Sequence, residues 1–255
     1  MGGRRRSSLW AAALVAALVL ASCGGDGGDT ASDEGGGGGG DETTTTASEE
    51  EGDDPAPLPP GATPGLDDYS GDGVLDPTCG TQDFGGGLVL RKPCEVSTPN
   101  EPPEGVTLVD GSLFGYNGST DIDLDGISGS LLLSRDEAGG KVVIVTFNTD
   151  NLFEVNRAEV NSPDTMDNTI KLINKMWPGS RIQVRGHTDG TGGAKANQSL
   201  SDRRALATKA YLEENGLKAA EITTVGLGAT QPFAKEDSDA ARQFNRRVEL
   251  VLYVP

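Results

Sequence analysis

Two side chains of opposite charge stand out by type and spacing. Asp189 closes the stretch Arg185-Gly186-His187-Thr188-Asp189, and Arg204 lies in Asn197-Gln198-Ser199-Leu200-Ser201-Asp202-Arg203-Arg204-Ala205. A carboxylate and a guanidinium flanking one small pocket suit a zwitterion, each charge receiving a charge-assisted hydrogen bond. Hydrolysis is the competing chemistry, because His187, Asp189 and Ser201 are the residue types of a catalytic triad. No nucleophile elbow accompanies them, however, and a strand-borne His beside a core is more often structural. The charged pair also has duller readings: Asp189 as the cap of a turn, and Arg204 as the surface partner of Asp202 or Glu249.

The elements that must position these groups are a strand and a helix. Arg181-Ile182-Gln183-Val184-Arg185 alternates polar and apolar residues as a half-buried strand does, and Gly190, Gly192 and Gly193 then interrupt it. Ser201 is the expected N-cap of a helix running to Asn215, with Gly216 as its C′ residue. This reading puts Arg204 in the first turn, where the positive end of the helix dipole disfavours a cation unless an anion is at hand. Asp189, at the end of the strand, faces that helix start across the loop.

Gly186-His187-Thr188-Asp189, then Asn197, Leu200-Ser201 and Arg204-Ala205, then Gly226-Leu227-Gly228 with Pro232, and finally Asn245-Arg246-Arg247-Val248-Glu249 follow one another in a specific order. In order and spacing these motifs resemble the OmpA-like peptidoglycan-binding domain, over residues 139–255. The resemblance implies a ligand: the equivalents of Asp189 and Arg204 hold the ammonium and carboxylate groups of meso-diaminopimelate in the peptidoglycan stem peptide. Thr188, Asn197 and Arg247 are the further candidate contacts. Asn197 serves either the ligand or the Gly-rich link. Arg246 and Arg247, being adjacent on a strand, point to opposite faces, so one of them reaches the pocket, and Arg247 is the choice here. Ala196 departs from the family, which often has an aromatic residue before the Asn.

The other elements of residues 139–255 follow from local pattern. Lys141-Val142-Val143-Ile144-Val145-Thr146-Phe147 is a β-branched run suited to a buried strand. Ser162-Pro163 reads as N-cap and N1 of a helix with Met166, Ile170, Ile173 and Trp177 on one face. Glu221 to Val225 is a third strand, Ser238 to Phe244 a short helix, and Val248 to Tyr253 a last strand with one face covered. Strands alternating with helices predict an α/β fold, a βαβαβ-type sandwich with helices on a mixed sheet.

The region upstream has a different character. Residues 1–22 combine Arg4, Arg5 and Arg6 with an apolar run from Leu9 to Leu20, which reads as a signal peptide. Leu20-Ala21-Ser22-Cys23 resembles a lipobox, implying lipidation of Cys23 and a membrane anchor, with an uncleaved anchor helix as the alternative. Residues 23–65 are Gly, Thr, acids and Pro, a disordered linker that cannot bury a core. Of the chain's 39 acidic residues, 16 fall between Asp26 and Asp83, where no Lys or Arg occurs. The net charge of −18 therefore belongs mainly to the tether and disfavours nucleic acid as a partner. About 40 such residues span on the order of 35 Å.

Residues 66–138 read as a small β-rich region of hairpins. Cys79 and Cys94 suit a disulfide in an exported chain; free thiols or a zinc site fit less well, with one His in the whole sequence. Asp67 to Gly73 and Asp121-Ile122-Asp123-Leu124-Asp125-Gly126 place oxygen ligands at alternate positions. A calcium loop that opens at Asp121 needs a bidentate acid at its twelfth position, where Leu132 stands, so acid-rich turns are the better reading. No metal or cofactor is expected. The function that follows is non-enzymatic: a lipid-anchored envelope protein tethering a membrane to the wall. The alternatives are a hydrolase using His187 and a domain serving mainly protein interaction. A motor stator would need a membrane helix with a functional carboxylate, and Leu9 to Leu20 has none.

Overall fold

The computed structural model describes residues 58, 60–65, 75–94, 100–116, 126–153 and 160–255. The expected signal peptide, Cys23, most of the acidic tether, and the candidate calcium stretches Asp67–Gly73 and Asp121–Asp125 lie outside them. The described residues belong to one compact unit, Asp54–Pro255. Among them no helix is long and apolar enough to cross a membrane.

Strands β1 (Thr78–Asp83) and β2 (Val89–Pro93) form an antiparallel hairpin closed by the Cys79–Cys94 disulfide, with Cα atoms 4.8 Å apart. The main sheet is built from β3 (Gly129–Arg135), β4 (Lys141–Asn148), β5 (Arg181–Gly186), β6 (Glu221–Gly226) and β7 (Arg247–Tyr253), in the order β3-β4-β7-β5-β6. It is mixed: β5 and β6 run parallel, and the other neighbours are antiparallel. Helices α1 (Thr149–Leu152), α2 (Pro163–Met176), α3 (Ala194–Glu214) and α4 (Asp239–Asn245) supply the α part. Ser162 precedes a Pro at the start of α2, Ser238 caps α4 by accepting from Ala241 N, and Gly216 follows α3 at φ 82°. These ends match the local signals.

One face of the sheet presents Val143, Val145, Ile182, Val184, Val248, Leu250 and Leu252 to Met166, Ile170 and Ile173 of α2 and to Ala205 and Leu212 of α3. The opposite face is covered as well, which corrects the expectation that β7 has one face exposed. Val142, Ile144, Val251 and Leu132 pack there against Phe84, Leu88, Leu90, Leu113, Tyr116 and Phe233. The cover is tied down by backbone bonds, Val109 N to Phe233 O at 3.0 Å and Lys235 N to Thr107 O at 2.8 Å. The boundary placed between residues 138 and 139 is corrected too. It cuts the β3–β4 hairpin, in which Leu131 pairs with Val145 and Arg135 with Lys141.

Helix α3 begins seven residues before the expected Ser201. Its N-cap is Gly193, which has no capping side chain, and its first two turns, Ala194 to Leu200, are mostly polar and exposed. Neither cap nor amphipathic stripe marks that start. Ser201 and Asp202 are not caps but pins: Ser201 Oγ accepts from Gly228 N at 2.9 Å and donates to Gln198 O at 2.8 Å, while Asp202 Oδ1 accepts from Gly226 N at 3.0 Å. Arg204 therefore stands in the third turn of α3, and the first-turn dipole argument does not apply to it.

Candidate functional site

The site is a cleft of about 290 Å³ lined by Asp150, Thr188, Asp189, Thr191, Asn197, Leu200, Arg204 and Arg246. It forms where β5 ends and α3 lies across the sheet. Gly186 and Gly226 are register partners on the parallel strands, and both allow the helix to come close. A Cβ on Gly186 would sit 2.2 Å from the Ser201 carbonyl oxygen, and one on Gly226 2.2 Å from Asp202 Oδ1. Behind Gly186 the chain is held by His187 N donating to Arg247 O at 2.9 Å and Thr188 N to Gly228 O at 2.9 Å.

Asp189 is 6% exposed. Its Oδ1 accepts from Thr191 N at 2.9 Å and from the Thr191 hydroxyl, and its Oδ2 accepts from Arg246 Nη1 at 2.6 Å. Burial alone would raise its pKa, but the Thr191 and Arg246 bonds outweigh it and hold the carboxyl below its ordinary value. Arg246 is bonded on its other side to Asp150, Nη2 to Oδ2 at 2.6 Å and Nε to Oδ1 at 3.1 Å. The Asp150 bonds, against burial and with help from Asp189, raise the Arg246 pKa. Arg204 is 3% exposed, with its guanidinium carbon 5.5 Å from the Phe153 ring centroid. Burial lowers its pKa, and the carboxylates of Asp150 and Asp189 act in the opposite sense. The ionised lining is thus two acids and two bases, a neutral dipolar surface.

Four of the five expected contacts, Asp189, Arg204, Thr188 and Asn197, line this cleft. Asn197 does so while bracing the Gly-rich link: its Nδ2 donates to Asp189 O at 3.1 Å and Thr191 O at 3.0 Å. Arg247 does not line the cleft, and Arg246 takes the place given to it. As the first residue of β7, Arg247 turns under the opposite face, where Nε donates to Glu249 Oε1 at 2.8 Å and Nη2 to Gln231 O at 2.8 Å. Arg246, the C-cap of α4, points outward to the acids. Asp150 and Arg246 were missed as a pair. Asp150 carries only a weak local signal, sitting just after a strand in the first turn of a helix whose N-cap is Asn148.

The triad residue types do not converge. His187 is fully buried, its Nε2 3.3 Å from Glu249 Oε1, and the Ser201 hydroxyl is held by Gln198 and Gly228. Burial and then the Arg247 charge lower the His187 pKa to about 4, against the opposing pull of Glu249. Among the described residues no group of His, Cys, Asp and Glu is arranged to hold a metal.

Comparison with known proteins gives partial matches. The chain is 33% identical over 129 residues to a probable lipoprotein, YiaD, of Escherichia coli, a match covering 46% of this chain and 58% of that protein. It is 40% identical over 78 residues to the peptidoglycan-binding protein ArfA of Mycobacterium tuberculosis, covering 31% of this chain and 24% of the relative. It thus spans less than two thirds of the length of these curated relatives. A solved structure of the periplasmic domain of Helicobacter pylori MotB aligns with 53% of this chain and 86% of its own, at 24% identity and a TM-score of 0.45. The OmpA family model matches residues 152–246, a span that runs from the end of α1 to Arg246 and takes in Asp189 and Arg204, and over that span the chain is similar to the OmpA family.

Proposed function

We propose that this domain binds peptidoglycan non-covalently through the meso-diaminopimelate of the stem peptide. The observation that carries the reading is the charge-balanced cleft, in which Asp189 and Arg204 are nearly buried and line one space of about 290 Å³. Asp189 receives the ligand ammonium and Arg204 its carboxylate. Thr188 and Asn197 shape the wall between them, and Arg246 replaces Arg247 among the contacts. The names of ArfA, a peptidoglycan-binding protein, and YiaD, a probable lipoprotein, support an envelope role. With lipidation of Cys23 and the acidic tether, the domain links an envelope membrane to the wall. No catalytic role is assigned.

The test is isothermal titration of a protein comprising residues 54–255 with a diaminopimelate-containing muropeptide, beside its lysine-type counterpart. Arg204→Ala is expected to weaken binding by about 1 to 3 kcal/mol, the range for a charge-assisted hydrogen bond. Asp189→Ala should cost at least as much, because the ligand ammonium is left against guanidinium groups with no carboxylate of its own. The double variant should lose less than the sum, since both groups act on one bound molecule. Wild-type affinity in both single variants removes the assignment. Replacement of Cys23 by Ser should release the full chain from membranes, and unchanged fractionation removes the anchor.

A further inference from the structure

The charge count beneath the second face of the sheet does not close. Arg185 on β5 and Arg247 on β7 share a single carboxylate, Glu249: Arg185 Nε lies 2.9 Å from Oε2, and Arg247 Nε donates to Oε1 at 2.8 Å. All three are buried, at 0%, 2% and 0% exposure. The neighbouring His187 is uncharged at neutral pH, because burial and Arg247 hold its pKa near 4. Two cations against one anion leave a positive charge in a poorly solvated interior, where an uncompensated ion is costly.

A cavity adjoins both guanidinium groups. Its volume is about 130 Å³, and Arg185, Arg247, Gln82, Ser112 and Gln231 are among its lining residues. Each guanidinium has five N–H donors. On Arg185, Nη1 bonds Gly85 O and Nη2 bonds Phe84 O, beside the Glu249 contact. On Arg247, Nη1 bonds Asn245 O and Nη2 bonds Gln231 O, beside its own bond to Glu249. Donors therefore remain on both. Ser112 is 7% exposed, and its hydroxyl has no hydrogen-bond partner, an uncommon condition for a buried polar group. The one carboxylate in the lining, Asp110, belongs to an exposed residue, so solvent screens its charge.

We propose that this cavity is a binding site for a compact monoanion, a halide or a small carboxylate, held by the Arg185 and Arg247 guanidinium groups and the Ser112 hydroxyl. The ion supplies the missing negative charge and gives the Ser112 O–H an acceptor. It also couples the cover formed by residues 75–94 and 100–116 to the sheet, since Ser112 lies in the cover and both arginines in the sheet. The site is separate from the Asp189 cleft and does not depend on the ligand assigned there.

The test measures thermal unfolding of the full chain at constant ionic strength, with gluconate, too bulky for the cavity, replaced stepwise by chloride, bromide or acetate. A rise in Tm that is logarithmic in halide concentration above Kd is expected, because a ligand that binds only the folded state stabilises it in proportion to ln(1 + [L]/Kd). A rise with halides alone identifies a free halide site, and a rise with acetate as well identifies carboxylate as an accepted ligand. Ser112→Ala is expected to raise the dissociation constant about tenfold, the loss of one hydrogen bond to an ion. Crystals soaked in bromide should show anomalous density between Arg185 and Arg247. A Tm that does not change as gluconate is replaced, absent bromide density, or a halide response at wild-type strength in Ser112→Ala each overturns the proposal.

Discussion

Arg246 and Asp189 are joined by a 2.6 Å bond from Nη1 to Oδ2, so the carboxylate assigned to a ligand ammonium is already paired within the protein. An incoming ammonium competes with the guanidinium for that carboxylate. Arg246 keeps Asp150, 2.6 Å from its Nη2, but loses half of its counter-charge. A ligand that brings a carboxylate beside its ammonium restores that balance, and one that brings only an ammonium does not.

Arg246→Gln should therefore compress the selectivity between diaminopimelate-type and lysine-type muropeptides. With the internal competitor removed, the lysine-type ligand meets two unshared carboxylates and gains affinity. The diaminopimelate ligand loses one partner for its carboxylate. A change of about tenfold in the affinity ratio is expected, equivalent to one modest charge-assisted bond at a partly exposed site. Titration of both ligands into wild type and variant reads the ratio directly. An unchanged ratio excludes Arg246 from selectivity, whatever happens to overall affinity.

A protein that begins at residue 139 should fail to fold cooperatively, whereas one that begins at residue 54 should unfold in a single transition. Truncation removes Phe84, Leu88, Leu90, Leu113, Tyr116 and Leu132 from one core cluster, and burial of each such side chain is worth about 1.5 to 3 kcal/mol. It also uncovers Arg185 and removes the Phe84 and Gly85 carbonyls that accept from its guanidinium. The combined loss is comparable with the total stability of a domain, about 5 to 15 kcal/mol. Circular dichroism melts of the two proteins decide it, and equal midpoints would show the cover to be dispensable.

The period-two pattern of β5 and β7 made the strands legible and hid their surroundings for the same reason. Polar Arg185 and Glu249 alternate with Val184, Leu250 and Leu252, and local pattern assigns such positions to solvent. That a segment about a hundred residues upstream covers them is a tertiary fact without a local signature. The strand-end motif, by contrast, declared itself. Thr188, Asp189, Asn197 and Arg204 do line one cleft, because glycines at 186 and 226 and the pins at Ser201 and Asp202 fix α3 against the sheet. The choice between Arg246 and Arg247 turned on where α4 ends and β7 begins, a one-residue question that propensity does not resolve.

Gly186→Ala tests the close approach of α3. The added methyl would meet the Ser201 carbonyl oxygen at 2.2 Å, and a helix backbone cannot swing aside as a flexible side chain can. The cost should be about 1 to 3 kcal/mol, the range for overpacking. The movement of α3 should also carry Arg204 away from Asp189 and weaken muropeptide binding. Denaturant titration reads the first effect and calorimetry the second. Wild-type values in both would show that the spacing is not tight.

His187 gives the stability a pH dependence whose sign is fixed by its burial. Its pKa falls from 6.5 to about 4 on folding, so between those values the unfolded chain binds the proton that the folded chain refuses. The stabilisation is therefore fully present above pH 6.5 and is lost as the pH falls towards 4. A shift of about 2.5 units corresponds to roughly 3 kcal/mol at most. Glu249, whose burial opposes ionisation but whose neighbours His187, Arg247 and Arg185 overcome it, lies well below its ordinary value of 4.5; its contribution is lost as the pH falls through 4.5 into the acid range, below the span from pH 6.5 to about 5 that reports His187. His187 is the sole histidine of the chain, which makes the upper window diagnostic. Urea unfolding of residues 54–255 at pH 7, 6, 5 and 4 should show stability falling across the series in wild type. In His187→Gln the part of the slope between pH 6.5 and about 5 should vanish, although the absolute stability changes with the lost Glu249 contact. Identical slopes in the two proteins would mean that His187 takes up its proton equally in both states, and that it does not stand as a neutral group between Arg247 and Glu249.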